Sequence, residues 1–274
     1  MLRSRALARV ALGVEYNGRL FNGWQRQKEG IPTVQAALEY ALGQVCGQSV
    51  GVIAAGRTDT GVHALMQVVH FDAPVERPLT AWIRGVNAHL PSGVSVQQAQ
   101  VVADAFHARF DAYERSYRYV LLSAPARPAV LAGLVGWTHY ALDVAKMQEA
   151  ASILLGEHDF SSFRASECQA KSPVKQLNHL QVYQHQGLIC FDVSASAFLH
   201  HMVRNIVGAL VYVGAGRLSV ADFKLIFEQK SRLQAPPTFM ADGLYLTKVR
   251  YPDEFGVAWS ANGAPWLWGS NHAG

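Results

Sequence analysis

The sequence is poor in cysteine and has no long apolar run. Its 274 residues include 3 cysteines, too few and too scattered for a disulfide framework. The longest apolar run covers residues 206–216, well short of the roughly 18 residues that a membrane span needs. The apolar stretch near the N-terminus is short and ends at Glu15, so no signal sequence is predicted. We therefore expect a cytoplasmic protein in a reducing compartment, without a membrane segment.

Charged residues are also scarce, at 16%, whereas hydrophobic residues make up 50%. This balance excludes a disordered chain and leaves enough apolar material for a core. The net charge of +4 permits a nucleic-acid partner without demonstrating one. The sequence contains neither a closely spaced cysteine pair nor an H-E-x-x-H motif, so we expect no protein-bound metal.

Hydrophobic periodicity predicts an α+β protein of two similar halves. Strands are predicted at 7–16, 50–55, 66–71 and 94–102, then at 115–122, 174–185, 188–194 and 244–251; helices are predicted at 34–45, 80–89, 144–155, 198–213 and 220–229. Neither half alternates strands with helices, so we expect mostly antiparallel sheets with flanking helices. The predicted domains are 1–105 and 106–251. Residues 252–274 form a tail of unknown role, either disordered or docked through its tryptophans.

The most informative segment is the polar loop that follows the predicted strand 50–55 and lies between Gly56 and Gly61. If the loop begins extended, the side chains of Arg57 and Asp59 point the same way. A neighbouring arginine favours the ionised form of a carboxylate, and an ionised carboxylate at the end of a core strand suits nucleophilic or base catalysis. A salt-bridged turn accounts for the same residues.

Two further segments combine arginine with aromatic or polar residues. On a strand, Arg115, Tyr117 and Tyr119 share one face, which suits stacking on bases beside phosphate contacts; an aromatic core with solvated arginines is the alternative. On the predicted helix 198–213, a face with histidines, asparagine and Arg204 lies opposite an apolar stripe. Arg204 could pair with the carboxylate of the loop or with phosphate, or the face could be solvated.

Together these segments resemble the tRNA pseudouridine synthase A family. The resemblance rests on six blocks, and it runs from about residue 7 to residue 251; the tail is left out. The blocks are the opening Tyr16-Asn17-Gly18 with Phe21 and Gly23-Trp24-Gln25, the loop Gly56 to Ala64, Phe106-His107-Ala108-Arg109-Phe110, Arg115 to Tyr119, Phe198 to Gly208, and Gly243 to Leu246.

The resemblance implies an isomerase that converts uridine to pseudouridine at positions 38, 39 and 40 of the tRNA anticodon arm. It implies that Asp59 is the catalytic nucleophile, that Arg204 pairs with it, and that Tyr117 stacks against the target base. It further implies substrate contacts from Arg57, His63 and Arg109. The family resemblance also implies a homodimer without metal or cofactor, and two halves around a central basic cleft.

Two other functions remain open from the residues alone. A non-catalytic RNA-binding module would use the same aromatic strand, and it would bind RNA in a salt-dependent way without changing it. A nucleoside hydrolase would use Asp59 and release free uracil. Glycosidases normally need a second carboxylate, and none lies near Asp59 in the sequence.

Overall fold

The computed structural model describes residues 7–260, which form two compact units. The first unit contains the described residues up to Glu114 together with those from Leu246 onward, and the second runs from Arg115 to Tyr245. The predicted boundary at residue 105 therefore lies inside the first unit, in the turn that precedes the second unit's first strand. No helix within residues 7–260 is long and apolar enough to cross a membrane.

The first unit is built on an antiparallel sheet in the order β4-β1-β3. Its strands are β1 (Ala8–Tyr16), the short β2 (Ile53–Ala54), β3 (His63–Ala73) and β4 (Val94–Val102). Strand β2 pairs with β3, so the loop that carries Asp59 connects two neighbouring strands. β3 is buried along nearly its whole length, which makes it the rigid centre of this unit.

Helix α1 (Val34–Cys46) packs its apolar face on the first unit. Thr33 caps its N-terminus by accepting a hydrogen bond from the amide of Ala36, which satisfies an otherwise unpaired donor. Gly47 ends the helix in the left-handed region, with φ of 71°, as a residue without a Cβ does at little cost. The predicted helix 80–89 is a shorter helical segment with a π-helical stretch at Ala81–Gly85.

The second unit carries an antiparallel sheet in the order β5-β9-β8-β7, with β6 parallel to β5. Its elements are β5 (Glu114–Ser123), β6 (Gly136–Thr138), α2 (Val144–Ser152), β7 (Gly156–Asp159), β8 (Val174–His185), β9 (Leu188–Ala195), α3 (Met202–Gly214) and α4 (Val220–Glu228). The hairpin β8–β9 turns at Gln186 and Gly187, both with positive φ, as a tight two-residue turn requires. Strand β10 (Leu244–Arg250) follows. The predicted α+β class with mostly antiparallel sheets is confirmed.

The predicted start of the helix 198–213 is wrong, because the corresponding helix α3 begins at Met202. Residues before it use their backbone elsewhere: the carbonyl of His200 accepts from the amide of Ala165 at 3.1 Å, and its amide donates to Cys168 Sγ at 3.4 Å. His201 then adopts φ of 61°, a left-handed conformation that interrupts a helix.

The described part of the tail docks on the first unit. The ring of Trp259 lies 3.1 Å from the position that a Cβ would take at Gly13 in β1, so this glycine leaves room for the indole. The docked alternative is therefore correct for this stretch, while the other tail tryptophans lie outside the described residues.

Candidate active site

The loop that carries Asp59 is closed at both ends by backbone hydrogen bonds. The amide of Ala55 donates to the carbonyl of Val68 at 2.8 Å, and the amide of Val62 donates to the carbonyl of Asp59 at 3.1 Å. Gly61 adopts φ of 82°, which a residue with a Cβ rarely reaches. The loop is consequently a tight turn of defined shape.

Burial alternates along this loop as expected for an extended start. Thr58 is buried, Arg57 is exposed and Asp59 is half-buried. The alternation agrees with the prediction that Arg57 and Asp59 lie on the same side of the loop. It leaves the Asp59 carboxylate partly shielded from water and the Arg57 guanidinium in contact with solvent.

A buried hydrogen-bond network fixes the position of Thr58. The Tyr16 hydroxyl lies 2.8 Å from Thr58 Oγ1. The Gln67 amide donates to the Gly56 carbonyl at 2.8 Å and to the Tyr16 hydroxyl at 3.4 Å. Burial raises the pKa of Tyr16 to about 12, although its hydrogen bonds to Thr58 and Gln67 lower it in part, so the phenol stays neutral at ordinary pH. The sequence does not identify Gln67 as a candidate residue, because it lies within an apolar strand.

The segment 17–24 covers the same loop through two close backbone contacts. Trp24 donates its amide to the Thr58 carbonyl at 3.0 Å, and a Cβ at Gly23 would lie 2.9 Å from that oxygen. A Cβ at Gly18 would clash with the carbonyl of Val62. These contacts explain why glycine occupies both positions of the opening block.

His63 is buried at the start of β3. Its Nδ1 accepts the amide of Gly18 at 3.2 Å, which joins the opening segment to the end of the loop. This contact gives the imidazole a structural task in positioning the loop.

Glu39 connects helix α1 to the same region. Its buried carboxylate accepts a hydrogen bond from the backbone amide of Val52 at 3.0 Å, just before β2, and one from the side-chain Nε2 of Gln35 at 3.0 Å. It also forms an ion pair with Arg26. A carboxylate with this many partners tolerates burial, and here it joins the helix to the strand that leads into the loop.

In the second unit, Tyr117 lies on β5 opposite Val193 of β9. Its half-buried ring meets Phe198 edge-on, with centroids 5.1 Å apart and planes at 87°, an arrangement that aromatic pairs favour. This contact restricts the orientation of the Tyr117 ring.

Neighbouring side chains on β5 are structural. Tyr119 is buried and donates its hydroxyl to the Met240 carbonyl at 3.0 Å. Arg118 is buried too, and two 2.6 Å hydrogen bonds join its guanidinium to Asp192. Burial alone would lower the pKa of Arg118, but the hydrogen bonds and charge of Asp192 outweigh it and raise the pKa. Arg118 is thus neither a solvated arginine nor positioned for phosphate.

Arg204 lies on α3 and is oriented by the segment that follows α4. Its Nε donates to the Phe239 carbonyl at 2.9 Å, and the amide of Phe239 donates to the Arg204 carbonyl at 3.2 Å. A Cβ at Gly208 would clash with the carbonyl of Pro237, so this glycine lets the segment lie against the helix.

The face of α3 that carries Asn205 is not solvated, which excludes the alternative of a solvent-exposed helix face. Asn205 is 1% exposed. Its amide donates to the Phe163 carbonyl at 2.8 Å, and its oxygen accepts from the Thr238 hydroxyl at 2.6 Å and from Arg232 at 3.3 Å.

Arg109 lies in the exposed turn between β4 and β5. Its guanidinium carbon lies 5.7 Å from the ring centroid of Phe110, and Phe110 is 74% exposed. The Phe110 ring stacks on His107, with centroids 4.2 Å apart, while His107 Nδ1 accepts hydrogen bonds from the backbone amides of Arg109 and Phe110. The turn presents a cation and an aromatic ring to solvent.

The predicted site residues thus belong to two groups. Arg57, Asp59, His63 and Arg109 lie in the first unit, and Tyr117 and Arg204 lie in the second. The predicted pairing of Arg204 with Asp59 stays a prediction.

Comparison with known proteins agrees with the resemblance. The family model for tRNA pseudouridine synthase matches residues 13–111 and 150–252. The chain is 59% identical over 249 residues to tRNA pseudouridine synthase A of Neisseria meningitidis serogroup C, covering 91% of this chain and 94% of that protein. It is 63% identical over 250 residues to the protein of the same name from Chromobacterium violaceum, covering 91% and 95%.

Similarity of this extent identifies the chain as an enzyme that modifies tRNA. The chain belongs to the tRNA pseudouridine synthase family. The resemblance inferred from the sequence blocks is therefore confirmed.

We predict that Tyr16→Phe lowers kcat for tRNA modification roughly ten-fold and leaves KM unchanged. Loss of the hydrogen bond to Thr58 would let the neighbouring Asp59 carboxylate shift, and small displacements of a reacting group slow the reaction. The free energy of unfolding should fall by about 1 kcal/mol, since the buried Thr58 hydroxyl loses a partner. Steady-state kinetics and urea denaturation measure the two effects.

Tyr40→Phe is the matched control, because Tyr40 is 63% exposed on α1 of the same unit. It should change neither quantity. A Tyr16→Phe enzyme with wild-type kcat would show that the network does not position Asp59.

Proposed function

We propose that the protein isomerises uridine to pseudouridine at positions 38, 39 and 40 of the tRNA anticodon arm, with Asp59 as the catalytic nucleophile. The observation that carries this proposal is the half-buried Asp59 carboxylate on a loop held by Tyr16, Trp24 and Gln67. Membership of the tRNA pseudouridine synthase family supports the reaction and the substrate class.

The reaction is an isomerisation with balanced atoms. The N-glycosidic bond breaks, the uracil rotates, C5 bonds to C1′, the hydrogen on C5 leaves as a proton, and N1, released from the sugar, takes up a proton. A carboxylate serves this chemistry by attack at C1′ or C6, and removal of a sugar proton would use the same group as a base. Each route requires a preorganised site that limits water, which the anchored loop supports.

The target base must leave its stack, at a cost of a few kcal/mol. Tyr117 offsets this cost by stacking on the extruded uracil. Its ring already contacts Phe198 on one edge, so little side-chain entropy is lost when the base arrives. A stacked aromatic contact is typically worth about 1–3 kcal/mol per base, which is enough to balance extrusion.

The arginines of the proposal have distinct tasks. Arg204, oriented through its Nε bond to Phe239, pairs with the Asp59 carboxylate and keeps it ionised. Arg57 is exposed on the catalytic loop and takes the place that the flipped nucleotide leaves in the arm. Arg109 is exposed beside Phe110 and binds phosphate.

We propose that His63 contacts the substrate. Its burial and its hydrogen bond from Gly18 also favour a role in supporting the loop. The proposal also includes a cytoplasmic homodimer that works without metal or cofactor.

We predict that Asp59→Ala abolishes pseudouridine formation, because the reaction loses its nucleophile, while the fold and tRNA affinity stay near wild type. Release of tritium from tRNA labelled at C5 of uridine measures the reaction, since only the isomerase must lose that hydrogen. Asp59→Asn is the isosteric companion variant and should be equally inactive.

Full turnover by either Asp59 variant would contradict the proposal. Wild-type protein that binds tRNA without releasing tritium would be an RNA-binding module, and release of free uracil, detected by chromatography, would indicate a nucleoside hydrolase.

We further predict that Tyr117→Phe harms turnover more than folding, because the hydroxyl of the half-buried Tyr117 takes part in the reaction and does not merely pack. Tyr119→Phe is the matched control on the same strand: it should cost about 1 kcal/mol of unfolding free energy through its lost bond to Met240 and leave kcat unchanged. Equal activity of Tyr117→Phe and wild type in the tritium assay would refute the role of the hydroxyl.

A further inference from the structure

A column of planar side chains lies on the surface of the second unit and shares no residue with the proposed active site. The Arg217 guanidinium carbon lies 4.6 Å from the ring centroid of Tyr212 and 5.5 Å from that of Tyr140. The Tyr140 ring contacts His139 at 4.1 Å, and His139 lies 6.2 Å from Trp137. We call these five residues the aromatic column.

Hydrogen bonds hold the column in place. Arg217 donates through Nη1 to the Tyr140 hydroxyl at 2.8 Å, and its backbone amide donates to the Tyr212 carbonyl at 2.9 Å. The Tyr140 carbonyl accepts from the Ser123 hydroxyl at 2.7 Å, while Trp137 donates through Nε1 to the Ala124 carbonyl at 2.9 Å. The rings and the guanidinium of the aromatic column are therefore preorganised.

The column is accessible and carries positive charge. Arg217 and His139 are exposed, and the three other rings are half-buried. Among residues 7–260, the side-chain partners of Arg217 are Tyr140 and Tyr212, neither of which neutralises it. This contrasts with Arg118, whose charge is matched by Asp192.

We propose that the aromatic column binds tRNA outside the active site, with Arg217 on a phosphate and the rings stacked on unpaired bases. The inference rests on the proposed function, because that function makes tRNA the ligand. An exposed arginine among aromatic rings is the kind of surface that binds single-stranded RNA segments, and cation–π contacts strengthen when the bound partner desolvates the cation. An uncharged apolar partner would leave the guanidinium desolvated without compensation.

The test uses the full-length protein and an unmodified tRNA transcript. Arg217→Gln should weaken tRNA binding about ten-fold in fluorescence anisotropy and reduce the salt slope by about one. KM in the tritium assay should rise accordingly with kcat unchanged. Arg217→Lys should keep the salt slope while still losing affinity, because the ammonium is not planar.

Arg77→Gln is the matched control: it removes the same charge from another exposed arginine, whose guanidinium bonds the Glu76 carbonyl. Its affinity should stay within two-fold of wild type. Thermal denaturation checks that each variant is folded, and Tyr140→Phe, which retains the ring, should bind more tightly than Tyr140→Leu.

Unchanged affinity of Arg217→Gln would overturn the inference, and so would a loss matched by Arg77→Gln. A change in oligomeric state at unchanged affinity per protomer would also overturn it and identify the column as an interface between copies of the chain. Wild type that binds tRNA through the column but releases no tritium would support the inference and refute the proposed function.

Discussion

The position of Asp59 depends on the hydrogen bonds that converge on Thr58. Its carbonyl accepts a hydrogen bond from the Trp24 amide, and its hydroxyl shares a hydrogen bond with the Tyr16 hydroxyl, so the residue before Asp59 is fixed by both its backbone and its side chain. Strain or mobility at this point would move the carboxylate, and reacting groups tolerate displacements of only a fraction of an ångström. The opening segment, α1 and the centre of β3 are all arranged around this constraint.

Fixing Thr58 in this way requires hydrogen bonds for the buried polar atoms around it and glycine where the backbone approaches closely. Burial of the Tyr16 and Thr58 hydroxyls and of the Gln67 amide nitrogen is offset by hydrogen bonds between these groups and to the Gly56 carbonyl. The close approach of the opening segment requires glycine at positions 18 and 23. In the second unit, Arg204 is held by the same device, since Gly208 admits the segment 237–239 beside α3. Both proposed catalytic groups are therefore supported by backbone carbonyls that a larger residue would displace.

Regular elements could be predicted where alternation and turn residues agree, as in β4 and β8, whose observed bounds match the predicted ones. The start of α3 could not be predicted. The helical apolar spacing continues through the residues just before Met202, although the backbone of His200 is hydrogen-bonded to the segment 165–168. Gln67 could not be identified from the sequence because it lies within an apolar strand. Strands β6 and β7 could not be predicted because they are too short to show a periodic pattern. The roles of Tyr117 and Arg204 came from the family resemblance, since spacing alone left an aromatic core as an alternative for the strand and a solvated face as an alternative for the helix.

The most direct test of the central claim is a crystal structure of Asp59→Asn bound to an unmodified tRNA anticodon arm. We predict that the target uridine is extruded, that its base stacks on Tyr117, and that the side chain at position 59 lies within about 3.5 Å of C1′ or C6. A complex in which the uridine remains stacked in the arm, or in which position 59 faces solvent away from the sugar and base, would contradict the account.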